Sequence, residues 1–255
     1  MMARRYNILR RIDLTEGYSS QMTNIYSDAH VIKLGGSLIV PNGGIDTQYV
    51  KKFCTVIRKQ IIEKNRRFFI FIGGGQLARH YRDAGMEVIG HELTNDDLDW
   101  LGVHATRLNA HLFRTIFRDL AHPAIIKDYS FIQKPEKPIV IAAGWKPGWS
   151  TDYTAVILAQ DYNIKTITKL SNADYVYDKD PRRYANAKPL EYITWKDYRA
   201  MVGDTWVPGS NVPFDAVAAK LASESQTKVL YLNGHDLENA EKALDGQKFV
   251  GTTIA

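Results

Sequence analysis

From His30 onward, short unbroken apolar runs alternate with glycine turns and with stretches whose apolar residues recur every three or four positions. His30-Val-Ile-Lys-Leu34 predicts a buried strand that runs into Gly35-Gly36-Ser37. Asp46 then sits where a helix N-cap belongs, and Tyr49, Val50, Phe53, Val56, Ile57 and Ile61 follow at helical spacing. Phe68-Phe-Ile-Phe-Ile72 predicts a second strand, ended by Gly73-Gly74-Gly75 and followed by another helix. Leu98, Leu101, Ala105, Leu108, Leu112 and Ile116 mark one long amphipathic helix. Ile139-Val-Ile-Ala142 is a third strand leading into a Gly/Pro turn, and Lys165 to Leu170 and Lys228 to Leu232 are further strands. A strand that is apolar at every position buries both of its faces, so strands of this kind alternating with helices predict a parallel sheet with helices on each side. The expectation is an α/β protein, a three-layer αβα sandwich with a mostly parallel central sheet.

In such sheets ligands sit at the carboxyl ends of the strands, and every glycine cluster falls at that edge. Gly35-Gly36-Ser37, Gly73-Gly74-Gly75 and the Gly144, Pro147-Gly148 turn each follow a strand. Without a Cβ the backbone can turn tightly, and its amides can approach an anion at the positive end of a helix. One such turn serves a tight connection equally well; three together suggest a site with room for more than one phosphate. No G-x-x-x-x-G-K-[ST] motif is present, and no G-x-G-x-x-G, so neither a P-loop nor a dinucleotide site is indicated. The H-R-D and D-F-G signatures of protein kinases are also absent.

Composition narrows the reading only a little. At 255 residues, with 45% hydrophobic and 24% charged residues, the chain is ordinary globular protein. Its net charge of +5 suits a protein whose ligands are phosphates, and no nucleic-acid motif accompanies it, so nucleic acid is not expected as a partner. The single cysteine, Cys54, excludes an internal disulfide and a Cys-rich zinc site, and its place on the apolar side of a helix predicts a buried thiol. No apolar stretch reaches membrane-spanning length and no signal-peptide core is present, which makes the cytoplasm the expected compartment and a membrane no partner. Residues 1–29 carry Arg4, Arg5, Arg10 and Arg11 without a sustained period, and are expected to form an arm, flexible or packed between subunits. Residues 30–255 are expected to form one domain. The histidines, with His104 and His111 on one helix face, predict a core or interface role, not a metal cluster.

The motifs also carry a resemblance. Lys33-Leu-Gly-Gly-Ser37 resembles the first glycine loop of amino-acid kinases, and Ile72-Gly-Gly-Gly-Gln-Leu-Ala-Arg79 resembles the second loop of the archaeal-type UMP kinases. Asp99-Trp-Leu-Gly-Val with Thr106-Arg-Leu-Asn-Ala110 is similar to their ribose-contacting helix. Gly144-Trp-Lys-Pro-Gly-Trp-Ser-Thr-Asp152, Ser171-Asn-Ala-Asp174 through Tyr177 to Asp180-Pro181, Phe214-Asp215 and Gly251-Thr-Thr-Ile254 follow in the family's order.

The resemblance implies the amino-acid-kinase fold, an acceptor part over about 30–150 and an ATP part over about 151–255. It also implies transfer of the ATP γ-phosphoryl to UMP in a homo-oligomer, a hexamer by family habit. Such a reaction needs charge neutralisation and alignment more than covalent chemistry. By resemblance Lys33 faces the transferring oxygens beside Gly35, Gly36 and Ser37, and Asp152 orients the cations around the phosphates. Gly74, Gly75 and Arg79 hold the acceptor phosphate, Asp99 takes the ribose hydroxyls, and Ser150 and Thr151 touch the acceptor. Lys169, Asp174, Tyr177, Asp180 and Asp215 fall on the ATP side. Mg2+ is expected to arrive with ATP, with no dedicated protein cage. Plainer roles exist beside these: Asp152 and Asp215 as helix caps, Arg79 as part of a basic face with Arg82, Tyr177 as core.

Three places depart from the family pattern. Tyr175 stands where the loop usually has glycine, Ala142-Ala143-Gly144-Trp145 replaces a more glycine-rich segment, and Met201 to Asn211 is the least similar stretch. Two alternatives therefore stay open: a kinase for another small acceptor, or a non-catalytic oligomeric protein that binds or stores nucleotides or oxyanions.

Overall fold

The computed structural model describes residues 26, 28–89, 93–205 and 212–255. Most of the expected arm, and residues 206–211 of the divergent stretch, lie outside that set. Along the chain run β1 (Ala29–Leu34), α1 (Gly36–Ile39), α2 (Thr47–Lys64), β2 (Arg67–Ile72), α3 (Gly75–Ile89), α4 (Asn95–Ile116), β3 (Ile139–Ala142) and α5 (Thr151–Asp161). They are followed by β4 (Thr166–Ser171), β5 (Val176–Tyr177), β6 (Pro189–Leu190), β7 (Tyr192–Ile193), α6 (Trp195–Val202), α7 (Ala216–Glu224), β8 (Lys228–Asn233), α8 (Leu237–Leu244) and β9 (Thr252–Ile254).

Seven strands form one sheet in the order β3-β2-β1-β4-β8-β9-β7. The first five are mutually parallel, and β9 runs antiparallel to β8, so the sheet is mostly parallel as expected. Period-two alternation decides which core each strand residue enters. Val31, Phe69, Phe71 and Ile167 join a core with α5 and α7, whereas Ile32, Leu34, Phe68, Ile70 and Ile72 join another with α2, α4 and α8. With both faces covered, each fully buried apolar side chain contributes about 1.5–3 kcal/mol, which is why the strands read as unbroken apolar runs.

Register positions the lysines. Lys33 on β1 pairs with Lys169 on β4, and each has the parity of its neighbour Val31 or Ile167, so both belong to the α5 face. Local signals start the helices: Tyr49 N–H donates to the Asp46 carboxylate at the start of α2 (2.9 Å), as expected, and Thr94 and Asp97 form a reciprocal capping box at the start of α4. Cys54 is buried on α2, and burial pushes its thiol up to about 12.

Candidate active site

Asp152 lies in the first turn of α5, under the edge where β1 and β4 end. Ser150 is the N-cap of that helix, its hydroxyl accepting from Tyr153 N–H at 3.0 Å, so Asp152 is released from capping. Lys169 Nζ donates to Asp152 Oδ2 at 2.6 Å, and Lys33 Nζ stands 3.3 Å from Oδ1, within ion-pair reach although not aligned as a hydrogen bond. Asp215 N–H also donates to Oδ2, at 3.1 Å. The three side chains are buried, at 8%, 7% and 6% exposure for Lys33, Asp152 and Lys169. Burial works against the charge on Asp152, but the ammonium groups of Lys169 and Lys33 outweigh it and hold the carboxyl well below its usual range. For Lys169 burial wins: even with Asp152 beside it, the ammonium is drawn down to about 8. The net result is a buried cluster of two cations and one anion at the carboxyl edge of the sheet.

The glycine loops of β1 and β2 pack on each other through their backbones. A Cβ on Gly36 would stand 2.0 Å from the Gly75 nitrogen, and one on Gly73 would stand 2.4 Å from the Gly36 nitrogen. Gly75 also takes φ of +64°, a conformation that favours glycine. These residues are required first by the close approach of two loops. Gly35 N–H donates to Leu170 O at 2.9 Å, so that amide is spent within the sheet; the first-turn amides of α1, at Gly36 and Ser37, are the donors at this loop.

Beyond the loops opens a cavity of about 270 Å³, lined by all six residues expected at the acceptor: Gly74, Gly75, Arg79, Asp99, Ser150 and Thr151. Arg82, Lys146 and Trp149 add to its wall. Arg79 Nε donates to Gln76 Oε1 at 2.6 Å, and Asp99 Oδ2 accepts from Gly148 N–H at 2.8 Å. A larger cavity, about 360 Å³ between α2 and α4, has an apolar lining around Cys54 and lies away from this chemistry.

Comparisons with known proteins bear on the family and the fold. The pattern described as "Amino acid kinase family" matches residues 29–233. The chain belongs to the amino acid kinase family. It is 31% identical over 228 residues to a uridylate kinase of Thermococcus sibiricus, covering 88% of this chain and 98% of that protein. It is likewise 31% identical over 232 residues to a uridylate kinase of Thermoplasma acidophilum, covering 89% of this chain and 97% of the relative. Among solved structures, the uridylate kinase of Archaeoglobus fulgidus superimposes with a TM-score of 0.74 at 28% identity, over 89% of this chain and all of the other.

Within this amino acid kinase family chain, the remaining expected residues divide. Asp215 lies beside the buried cluster, its N–H on Asp152, and caps α7, its Oδ1 accepting from Ala218 N–H at 2.7 Å. Burial and the neighbouring Asp152 raise its carboxyl. Asp174 accepts from Asn233 Nδ2 at 2.8 Å, next to the end of β8. Tyr177 is half-buried on β5, edge-on to Tyr175 at 6.4 Å. Asp180 stands in an exposed turn, where both its oxygens accept from Arg182. Tyr175 is absent from the non-glycine residues with positive φ, so its side chain replaces the usual glycine without backbone strain.

Thr106, Arg107 and Asn109, expected only as part of a ribose-contacting helix, brace the loops instead. Asn109 Nδ2 donates to the Gly73 and Gly74 carbonyls at 2.9 and 3.1 Å, fixing the second loop from α4. Thr106 Oγ1 accepts from Gly144 N–H at 2.9 Å, and Arg107 donates to the Gly144 and Trp145 carbonyls at 3.2 and 2.6 Å. An asparagine buried at a core position of an amphipathic helix was the signal available for Asn109.

Proposed function

We propose that this chain is a UMP kinase, transferring the γ-phosphoryl group of ATP to the phosphate of UMP to give UDP. One observation carries the reading: the cavity of Arg79 and Asp99 ends at Ser150 and Thr151, adjacent in the chain to the carboxylate that holds Lys33 and Lys169 together. A guanidinium suited to a phosphate and a carboxylate suited to ribose hydroxyls, lining one cavity, match a nucleoside monophosphate.

In this reading the acceptor's phosphate meets the Arg79 guanidinium and the amides of the second glycine loop, a charge-assisted contact. The ribose hydroxyls compete with Gly148 N–H for the Asp99 carboxylate. The transferring group passes beside Lys33 and Lys169, whose charge offsets the negative charge spread over its oxygens as the bond to the leaving phosphate breaks. Asp152 touches no substrate oxygen; it keeps two like charges close together where alone they would repel. Asp174, Tyr177, Asp180 and Asp215 belong to the ATP side. Magnesium supplies further charge neutralisation on the ATP phosphates. The donor set fits a metal carried by the nucleotide, because the Asp152 carboxylate is already neutralised by two ammonium groups.

Among the described residues no helix is long and apolar enough to cross a membrane. The homo-oligomer, a hexamer in this reading, has support in α3, which buries only Ala78 and exposes Tyr81, Met86, Val88 and Ile89.

The test is a coupled assay with ATP, Mg2+ and UMP, run beside CMP, carbamate and isopentenyl phosphate as acceptors. Formation of UDP, with UMP preferred, is the expected outcome. Folded protein that makes no UDP removes the reading.

A further inference from the structure

Tyr198 lies on α6, a helix the reaction chemistry does not otherwise use, and it is fully buried. Its hydroxyl binds one residue twice: it donates to Phe214 O and accepts from Phe214 N–H, each at 2.6 Å. Two short bonds to the same residue fix the backbone on both sides of it, more tightly than one bond could. The hydroxyl keeps its proton for this purpose, since burial raises its ionisation far above the ordinary tyrosine range.

Phe214 matters because of what flanks it. Its ring lies 5.2 Å from the Lys169 ammonium, placed for a cation–π contact. The next residue, Asp215, sends its N–H to Asp152 Oδ2, the oxygen that also accepts from Lys169. One residue thus presents a ring to the cation while its neighbour presents a donor to the anion. The post is itself anchored. Trp195, one turn earlier on α6, donates from Nε1 to Thr227 O at 3.0 Å, and its ring packs 5.8 Å from that of Phe214.

We infer that Tyr198 is a positioning residue for phosphoryl transfer, whose hydroxyl holds Phe214 and Asp215 where they aim Lys169 and Asp152 at the transferring group. The inference rests on the kinase reading for the meaning of the cluster, but not for the physical link between the hydroxyl and Lys169. Within that reading, Tyr198 acts on the chemical step and leaves the acceptor cavity alone, since none of its partners lines that cavity.

The test uses Tyr198→Phe in the full chain, which keeps the ring and removes only the hydroxyl. In protein labelled with 15N at lysine Nζ, the Lys169 ammonium resonance, identified by its loss in Lys169→Arg, is expected to shift or broaden. In the UMP assay kcat is expected to fall about ten-fold, the scale set by a small misplacement of a charge-stabilising group, with KM for UMP unchanged. A Lys169 resonance that stays in place overturns the inference, whatever the rate does. So does a fall in kcat accompanied by an equal rise in KM for UMP and a lowered Tm, the mark of general loosening. If the wild-type protein makes no UDP, the kinase reading fails, and the resonance alone still decides whether Tyr198 holds Lys169. Phe214→Leu is the second variant. It keeps both bonds to the hydroxyl, removes the ring beside the ammonium, and is expected to move the same resonance; no movement there, with Tyr198→Phe unable to fold, also overturns the inference.

Discussion

Lys33, Lys169 and Asp152 are each less than a tenth exposed and hold one another, whereas in the neighbouring cavity Arg79 is exposed and Asp99 half-buried. The first group is wired into strand register and a helix start; the second is carried on two outer helices and one loop. In the buried group every charge has to be answered inside the protein, because water is not there to do it. In the cavity a side chain can be lost without leaving a stranded charge. Alterations at the centre should therefore damage fold and catalysis together, and alterations in the cavity should damage binding alone.

The strongest way to break that contrast is Asp152→Asn. It removes the anion between two buried ammonium groups, and stability is expected to fall by about 3–5 kcal/mol. Turnover is expected to drop by on the order of a thousand-fold, the scale of losing one preorganised electrostatic element. Denaturant titration and the coupled assay measure the two effects; a protein that loses turnover with its stability intact would show that the centre tolerates unbalanced charge. Arg79→Ala should act the other way. KM for UMP is expected to rise roughly ten- to a hundred-fold, worth about 1.5–3 kcal/mol for a charge-assisted hydrogen bond, with an unchanged Tm. A lowered Tm would erase the distinction between the two regions.

The smallest and sharpest probe is pH. Lys169 is lowered from the ordinary lysine range to about 8, so its charge is present below that pH and is lost as pH rises through it. Because kcat/KM reports the free enzyme, kcat/KM for ATP is expected to decline above about pH 8, by up to ten-fold per pH unit. A Lys169→Arg protein, even at reduced activity, should lack that limb. A wild-type profile flat to pH 10 would mean that burial does not govern this lysine.

The long strands and the glycine turns were legible because both faces of the sheet are buried, and helices α2, α3 and α4 were legible in outline. On α4 the apolar spacing pointed partly to the wrong face: Leu108 is 61% exposed, while Val103, Thr106, Asn109 and Phe113 are buried. Strands β5, β6 and β7, at two residues each, and β9, at three, are too short to show any period. Their pairing comes from tertiary contacts, such as Thr252 Oγ1 accepting from Val176 N–H at 2.8 Å and donating to Leu190 O at 2.5 Å. At the site, Lys33, Arg79, Asp99 and Asp152 stood out because each falls in a motif that resembles the family's. Tyr198 did not, and the task of Asn109 within its motif did not show, since one polar group in an otherwise apolar helix face looks like any other core position. Only the partner identifies it, and the partners are 16 and 36 residues away.

The interlock of Gly36 with Gly73 and Gly75 constrains how this protein can change. Not one methyl group fits between the two loops, so these positions are closed to substitution and the two glycine loops behave as one rigid piece. A new preference for a different acceptor would then fall to other lining residues, Arg82, Lys146 and Trp149 among them, with Trp149 itself packed between Trp145 and Tyr153.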